Sequence, residues 1–172
     1  MKIQKSLIVE KEPRLVFEIL GPKYGEADTW ASSVFESTAR HEGQPLNGAP
    51  CTGRICQTSL GSVTEQLVDY DEDERVVAYS AKAKKMPFFV KEMVNRWQVR
   101  SAGPDRSRVE MTLHMRLSFP FSILMAVPMR IQLSGLLGQA VEELKHYAEH
   151  GTPHPRKKAS RHLATEAGPD GI

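Results

Sequence analysis

The chain has 172 residues, of which 40% are hydrophobic and 26% are charged. This composition is typical of a folded protein of one domain rather than of a disordered chain. The 23 Lys and Arg residues exceed the 21 Asp and Glu residues by only two. Because that excess lies in residues 151–172, the rest of the chain is balanced in charge, and we expect no nucleic-acid partner.

The first half of the chain begins with a short strand and a short helix. Residues 1–13 lack the apolar core and the cleavage site of a signal peptide. Residues 3–9 alternate weakly and predict a strand. Pro13 stands where helices begin, and the apolar stripe behind it predicts a short helix that ends before Gly21-Pro22.

From residue 34 onward, short β-type segments alternate with turn residues. The predicted strands are residues 34–41, 53–58, 62–70, 75–83, 90–100 and 108–119. Their connections are short, which favours an antiparallel meander. Cys51 and Cys56 would lie ~17 Å apart on an extended chain, too far for a disulfide. Two reduced thiols and no export signal predict a cytoplasmic protein.

The last predicted strand has the clearest pattern. Its odd positions from Val109 to Phe119 are apolar, whereas its even positions are polar, so one face is buried and the other solvated. Apolar residues then recur at helical spacing and predict a helix over residues 129–150, which would be ~33 Å long. The apolar window 119–138 is too interrupted for a membrane span, so we expect no stable membrane insertion.

These elements predict an α+β fold in which a bent antiparallel sheet wraps around one long C-terminal helix. One helix cannot fill such a sheet completely, so a cavity is expected between them. Residues 1–150 are predicted to form this domain. Residues 151–172, rich in Pro, Gly, Lys and Arg, are predicted to be a flexible basic tail.

Several short motifs along this span resemble those of a known family. They are Glu12-Pro13, Val16-Phe17, Trp30, Val34, Gly53-Arg54, Gly61 with Glu65, Asp71 with Arg75 and Tyr79, Met86-Pro87-Phe88, Trp97, and Gly135 with Leu144 and Tyr147-Ala148-Glu149. In this order they resemble the START-related superfamily, also labelled SRPBCC or polyketide cyclase/dehydrase-like. The resemblance implies a helix-grip (START-like) fold with a hydrophobic cavity for lipids, sterols or polyketides. Enzymes, carriers and sensors share this fold, so the resemblance does not choose among them.

Strand pairing predicts which side chains face the cavity. A turn at Leu60-Gly61 would place Cys56 opposite Glu65 and Arg54 opposite Leu67. The further predicted pairs are Leu67 with Tyr79, Trp97 with Met111, Asn95 with Leu113, and Met93 with Met115. The inward polar residues are then Arg54, Glu65, Tyr79 and Asn95. A buried charge is costly unless it is paired, so Arg54 and Glu65 are predicted to form an ion pair.

The predicted ligand-binding residues share an inward position on the sheet or the helix, or a place near the cavity mouth, where Phe88 is expected to belong to a lid. They are Trp30, Arg54, Glu65, Leu67, Tyr79, Phe88, Met93, Asn95, Trp97, Met111, Leu113, Met115, Phe119, Met129, Leu133, Leu136 and Ala140. The sequence therefore predicts that a monomer or homodimer binds a small hydrophobic ligand, without a cofactor.

Catalysis in the same cavity is the alternative hypothesis, with the candidates Arg54, Glu65 and Tyr79. In a polyketide cyclase or dehydratase, Arg54 would polarise a carbonyl while Glu65 or Tyr79 moved protons. The same groups would also form an ordinary structural pair in a wet cavity. His146 and His150 have a spacing that can bind zinc, but a site needs further ligands, and we expect no metal.

Overall fold

The computed structural model describes residues 1–59 and 61–159. Its strands and helices, in chain order, are β1 (Lys2–Val9), α1 (Pro13–Leu20), a 3-10 helix (Tyr24–Thr29), β2 (Glu36–Arg40), β3 (Gly53–Thr58), β4 (Gly61–Asp71), β5 (Val76–Ala83), β6 (Val90–Ser101), β7 (Ser107–Leu117), α2 (Phe121–Leu124) and α3 (Ala126–His150). None of the helices described is both long and apolar enough to span a membrane.

The seven strands form one antiparallel sheet in the order β1-β7-β6-β5-β4-β3-β2. Strands β2 to β7 are a meander, and β1 closes the far edge against β7. Helix α3 packs on this sheet through Leu137, Val141 and Leu144, which are buried in the same core as the inner face of β7. The predicted helix-grip fold is confirmed.

The register of the β3–β4 hairpin differs from the predicted one by two residues. Thr58 pairs with Gly61, so Arg54 stands directly opposite Glu65, not opposite Leu67. The predicted turn lies one residue later in the chain than the observed one. An offset of one residue in a hairpin turn changes every pairing partner by two residues. Since side chains alternate with a period of two, this shift leaves them on the predicted face. The other four predicted pairs are confirmed.

Two predicted orientations near the C-terminal end of β7 and in α3 are wrong. Strand β7 ends at Leu117, so Phe119 lies beyond the alternating segment and is 79% exposed. In α3 the inward row contains Leu133 and Leu137. Leu136 lies about 100° around the helix from Leu137, and it is 49% exposed.

The segment after Gly151 returns to the domain over the part that the structure describes. Residues 155–159 are helical, and Lys157 is fully buried, with its Nζ donating a hydrogen bond to the carbonyl oxygen of Val34. The prediction of a flexible tail is therefore corrected for these residues, because the side chain of Lys157 is buried against the domain and its ammonium group is hydrogen-bonded there. The remainder of the predicted tail, residues 160–172, lies outside the described residues.

Candidate functional site

A cavity of about 110 Å³ lies beneath the segment 24–34, between the sheet, α1 and α3. Most of its wall is apolar or aromatic, and charged groups enter from β3 and β4. The lining residues are Ile19, Leu20, Tyr24, Ala27, Trp30, Ala31, Ser33, Val34, Arg54, Glu65, Val77, Tyr79, Trp97, Met111 and Ala140.

The structure brings part of the predicted ligand-binding set together at this cavity. The predicted residues that line it are Trp30, Arg54, Glu65, Tyr79, Trp97, Met111 and Ala140. The predicted residues that do not line it are Leu67, Phe88, Met93, Asn95, Leu113, Met115, Phe119, Met129, Leu133 and Leu136. Of these, Phe88, Phe119 and Leu136 are exposed, and most of the others pack in the hydrophobic core along the sheet. The cavity is therefore smaller and nearer the N-terminal segment than predicted.

The segment 24–34 supplies wall residues that the sequence analysis missed, Tyr24 above all. Its signal is a spacing of three: Tyr24, Ala27 and Trp30 recur with the period of a 3-10 helix, and all three are buried. A search for periods of 3.6 or 2 does not detect this pattern.

Arg54 is the centre of the polar part of the site. Its Nε donates to Glu65 Oε2 at 2.6 Å, and its Nη1 donates to the Tyr24 carbonyl oxygen at 2.6 Å. The Tyr24 hydroxyl donates to the same Glu65 oxygen at 2.9 Å. Direct pairing of β3 with β4 places the two charges together, and both residues are more than nine-tenths buried. The result is an ion pair in which hydrogen bonds supplement the Coulomb attraction.

Two tyrosine rings flank the guanidinium group. The Arg54 Cζ lies 4.1 Å from the Tyr24 ring centroid and 5.3 Å from that of Tyr79. The two rings lie 5.5 Å apart. A cation against aromatic faces is attracted by their quadrupoles, so these rings stabilise the charge of Arg54 in a place that water hardly reaches.

Burial and neighbouring charges shift the pKa values of these groups away from neutrality. Burial, and then the Glu65 charge, raises the pKa of Tyr24 and of Tyr79 well above the usual tyrosine range. Burial is the largest single effect and opposes the charged form of Arg54, but the attraction of Glu65, Tyr24 and Tyr79 together exceeds it and raises the pKa of the guanidinium further. At neutral pH the site therefore contains protonated tyrosines and a permanently charged arginine.

Cys56 is buried next to this pair. Burial raises the pKa of its thiol from 9.0 to about 11, and its Sγ lies 3.8 Å from the Ser37 hydroxyl oxygen. A thiolate is needed for nucleophilic chemistry. Cys56 therefore has the character of an inert core thiol.

The wall segment 31–34 is held to the C-terminal part of the chain. Glu143 on α3 is buried and accepts hydrogen bonds from the Ser32 backbone N–H at 2.8 Å and from the Ser32 hydroxyl at 2.6 Å. Lys157 donates to the Val34 carbonyl oxygen. Arg156 contacts Glu143 at 3.3 Å. This segment of the cavity wall is thus fixed by polar contacts at both of its ends.

Three histidines lie close together at the C-terminal end of α3 and just beyond it. The His146 and His150 rings are 4.5 Å apart, and His154 lies 5.2 Å from His146. The His150 Nδ1 is 3.0 Å from the His146 carbonyl oxygen. Within residues 1–59 and 61–159, no group of three or more His, Cys, Asp or Glu side chains is arranged to hold a metal ion.

A family model described as polyketide cyclase/dehydrase and lipid transport matches residues 1–149. No curated protein matches the sequence. Among solved structures, the chain is similar to a START superfamily protein from Mycobacterium smegmatis, with 14% identity and a TM-score of 0.67 over 88% of this chain and 99% of that one. It is similar to truncated norcoclaurine synthase from Thalictrum flavum, with 12% identity and a TM-score of 0.65 over 87% and 94%. An uncharacterised protein from Bacillus thuringiensis has 17% identity and a TM-score of 0.65 over 86% and 98%. At these identities the structural likeness supports the fold alone.

Proposed function

The chain belongs to the polyketide cyclase/dehydrase and lipid transport family, and from this premise we propose that it binds a small aromatic ligand with one neutral polar group in the cavity beneath segment 24–34. The observation that carries the proposal is the composition of that cavity. Its wall is largely apolar and aromatic, with Arg54, Glu65 and Tyr79 at one side. Apolar walls with a few oriented polar groups are the usual form of a small-molecule site.

The charges of the wall favour a neutral ligand group. Arg54 is neutralised by Glu65 at 2.6 Å, so the pair attracts an added carboxylate only weakly. The ring hydroxyl of Tyr79 and the polar atoms of the pair suit a phenol hydroxyl, which donates and accepts hydrogen bonds, or a carbonyl, which accepts them; neither carries a net charge.

The size of the cavity limits the ligand. A dry cavity of ~150 Å³ lined by apolar side chains can hold benzene, and drug-sized ligands need ~300 Å³ or more. The present 110 Å³ is smaller than both, so it admits at most a single ring, and only with small shifts of the wall. A fused-ring or lipid-like ligand requires the segment 31–34 to move outward.

Phenol and 2-naphthol are the probes that test this proposal. Saturation-transfer NMR is expected to detect binding of phenol to the purified protein. Fluorescence is expected to detect binding of 2-naphthol, which should be slower than that of phenol because the wall must move. Ala140→Leu, which adds volume to the wall, should abolish both, whereas Gln139→Leu, on the exposed side of the same helix, should leave them unchanged. No binding by the unaltered protein, or equal binding by Ala140→Leu, would contradict the proposal.

A cyclase or dehydratase activity is the second candidate, because Tyr24, Arg54, Glu65 and Tyr79 all meet at one cavity. General acid–base catalysis works best when a group has a pKa near the working pH. The pKa values of both tyrosines and of Arg54 are raised away from it, so binding is favoured over turnover. Native mass spectrometry distinguishes the binding hypothesis from the catalytic one when any copurifying ligand is measured before and after prolonged incubation. An unchanged ligand mass supports a binding protein, and a changed mass supports an enzyme.

A further inference from the structure

One end of the molecule exposes a group of large apolar side chains, which we call the apolar tip. Each member is about two-thirds or more exposed. The members are Phe88, Phe119, Ile123, Leu124, Val127 and Ile131. Single exposed apolar residues are common on proteins, but a group of six on neighbouring segments indicates an interaction surface.

Ring contacts join the β5–β6 connection, which carries Phe88, to the start of α2. Phe88 lies before β6, and its ring is 5.3 Å from that of Phe121, the first residue of α2. Phe89 stacks on Phe121 at 4.8 Å, and its carbonyl oxygen accepts from the Ser118 backbone N–H. The β5–β6 connection and α2 therefore form one unit, from which α3 continues.

Val127 and Ile131 lie on one side of α3, and Leu124 precedes them at the end of α2. Leu124, Val127 and Ile131 are separated by three and four residues, which places neighbouring members on the same side where the chain is helical. The opposite side of α3 contributes Met129, Leu133 and Leu137 to the core. The N-terminal half of α3 is thus apolar on two sides, and only one of them is covered.

The two chain segments that carry the tip contain charges of one sign only. Residues 82–91 and 117–141 contain Lys82, Lys84, Lys85, Lys91 and Arg130 but no Asp or Glu, although the chain as a whole has 21 acidic residues. We propose that the apolar tip docks on the surface of a lipid bilayer rich in anionic lipids, with its apolar side chains among the acyl chains and these cations at the headgroups. Apolar residues flanked by Lys and Arg are the general requirement for such binding.

The charges also argue against a second copy of the chain as the partner of the apolar tip. In a two-fold dimer the same patch lies on both sides of the interface. The cations of one tip would then face those of the other, and these two segments supply no carboxylate to pair with them. A bilayer with anionic lipids offers both the apolar phase and the missing negative charge.

Vesicle cosedimentation tests the proposal with the full chain. The protein is expected to sediment with vesicles of equal parts phosphatidylglycerol and phosphatidylcholine, and much less with pure phosphatidylcholine. The double variant Ile123→Ser and Val127→Ser should lose this binding. Lys84→Glu with Lys85→Glu should weaken it by about tenfold or more, since each basic residue near an anionic surface adds to the attraction. Leu15→Ser and Leu46→Ser, at exposed apolar positions elsewhere, are the matched controls.

Thermal unfolding and sedimentation velocity accompany each variant, so that misfolding or self-association is recognised. Unchanged melting temperatures with selective loss of vesicle binding support the proposal. No vesicle binding by the unaltered protein, binding that survives in the tip variants, or a dimer that these variants dissociate would overturn it. Phenol binding is measured separately on every variant, so the cavity and the tip are tested independently.

Discussion

Arg54 and Glu65 are direct partners across β3 and β4, and the Arg54 Nε lies 2.6 Å from Glu65 Oε2 in a buried environment. Removing two charges from water costs several kcal/mol for each, and their attraction recovers this only with good geometry and further hydrogen bonds. Tyr24 supplies those bonds with both its hydroxyl and its carbonyl group. The pair is therefore stable as a unit, and neither member is stable without the other.

Glu65→Gln should lower the free energy of unfolding by about 3 kcal/mol, because it leaves a buried guanidinium without a counter-charge. The double change Arg54→Met with Glu65→Leu should recover much of this loss. Urea unfolding of Arg54→Met, Glu65→Leu and their double variant gives the coupling energy. A double-mutant cycle in which the two losses simply add would show that the residues do not stabilise one another.

The sequence predicted the inner face of the sheet well, and the site only in part. The alternation of β7 predicts that Met111 faces inward, and the pairing of Met111 with Trp97 predicts the same orientation for Trp97. Alternation says nothing about a 3-10 segment, so Tyr24 was missed. The contact of Lys157 with Val34 joins residues 123 positions apart. A basic run such as Arg156-Lys157-Lys158 does not show in advance which lysine will be buried.

The Cys56 thiol should make stability fall in alkaline solution. In the unfolded chain a thiol ionises near pH 9, whereas burial keeps that of Cys56 protonated up to its folded pKa of about 11. The unfolded state therefore loses the proton first as the pH rises. The contribution of this thiol to stability is complete below pH 9 and is lost as the pH rises from there to about 11.

Urea unfolding at pH 8 and pH 10 measures this effect. The fall in unfolding free energy between the two pH values should be smaller in Cys56→Ser by about 1 kcal/mol, since one pKa unit corresponds to ~1.4 kcal/mol. Between pH 6 and pH 8 the two proteins should change alike. An equal alkaline fall in both would mean that other groups, such as the buried tyrosines, account for it entirely.

Truncation after Gly151 should destabilise the domain. It removes the hydrogen bond of Lys157 to Val34 and the ion pairs of Arg156 with Glu142 and Glu143. Lys157→Ala should lower the free energy of unfolding by about 1–3 kcal/mol, the usual cost of leaving a buried acceptor without its donor. Lys158→Ala changes an exposed neighbour and should have almost no effect. Equal melting temperatures for the truncated and full-length proteins would show that the C-terminal contacts contribute nothing to stability.

Loosening the wall segment 31–34 should accelerate ligand exchange. Ser32→Ala removes the hydroxyl that donates to Glu143 at 2.6 Å, and Lys157→Ala frees the Val34 carbonyl, so each lowers the cost of moving the wall outward. A ligand larger than the present cavity binds only to the fraction of molecules in which the wall is open. Stopped-flow fluorescence with 2-naphthol should therefore show a higher association rate in both variants, with the largest increase when they are combined. Phenol needs far less movement of the wall than 2-naphthol, so its affinity should change less. If the 2-naphthol rate is the same in the combined variant as in Lys158→Ala, the wall is not the entrance, and the ligand enters by another route.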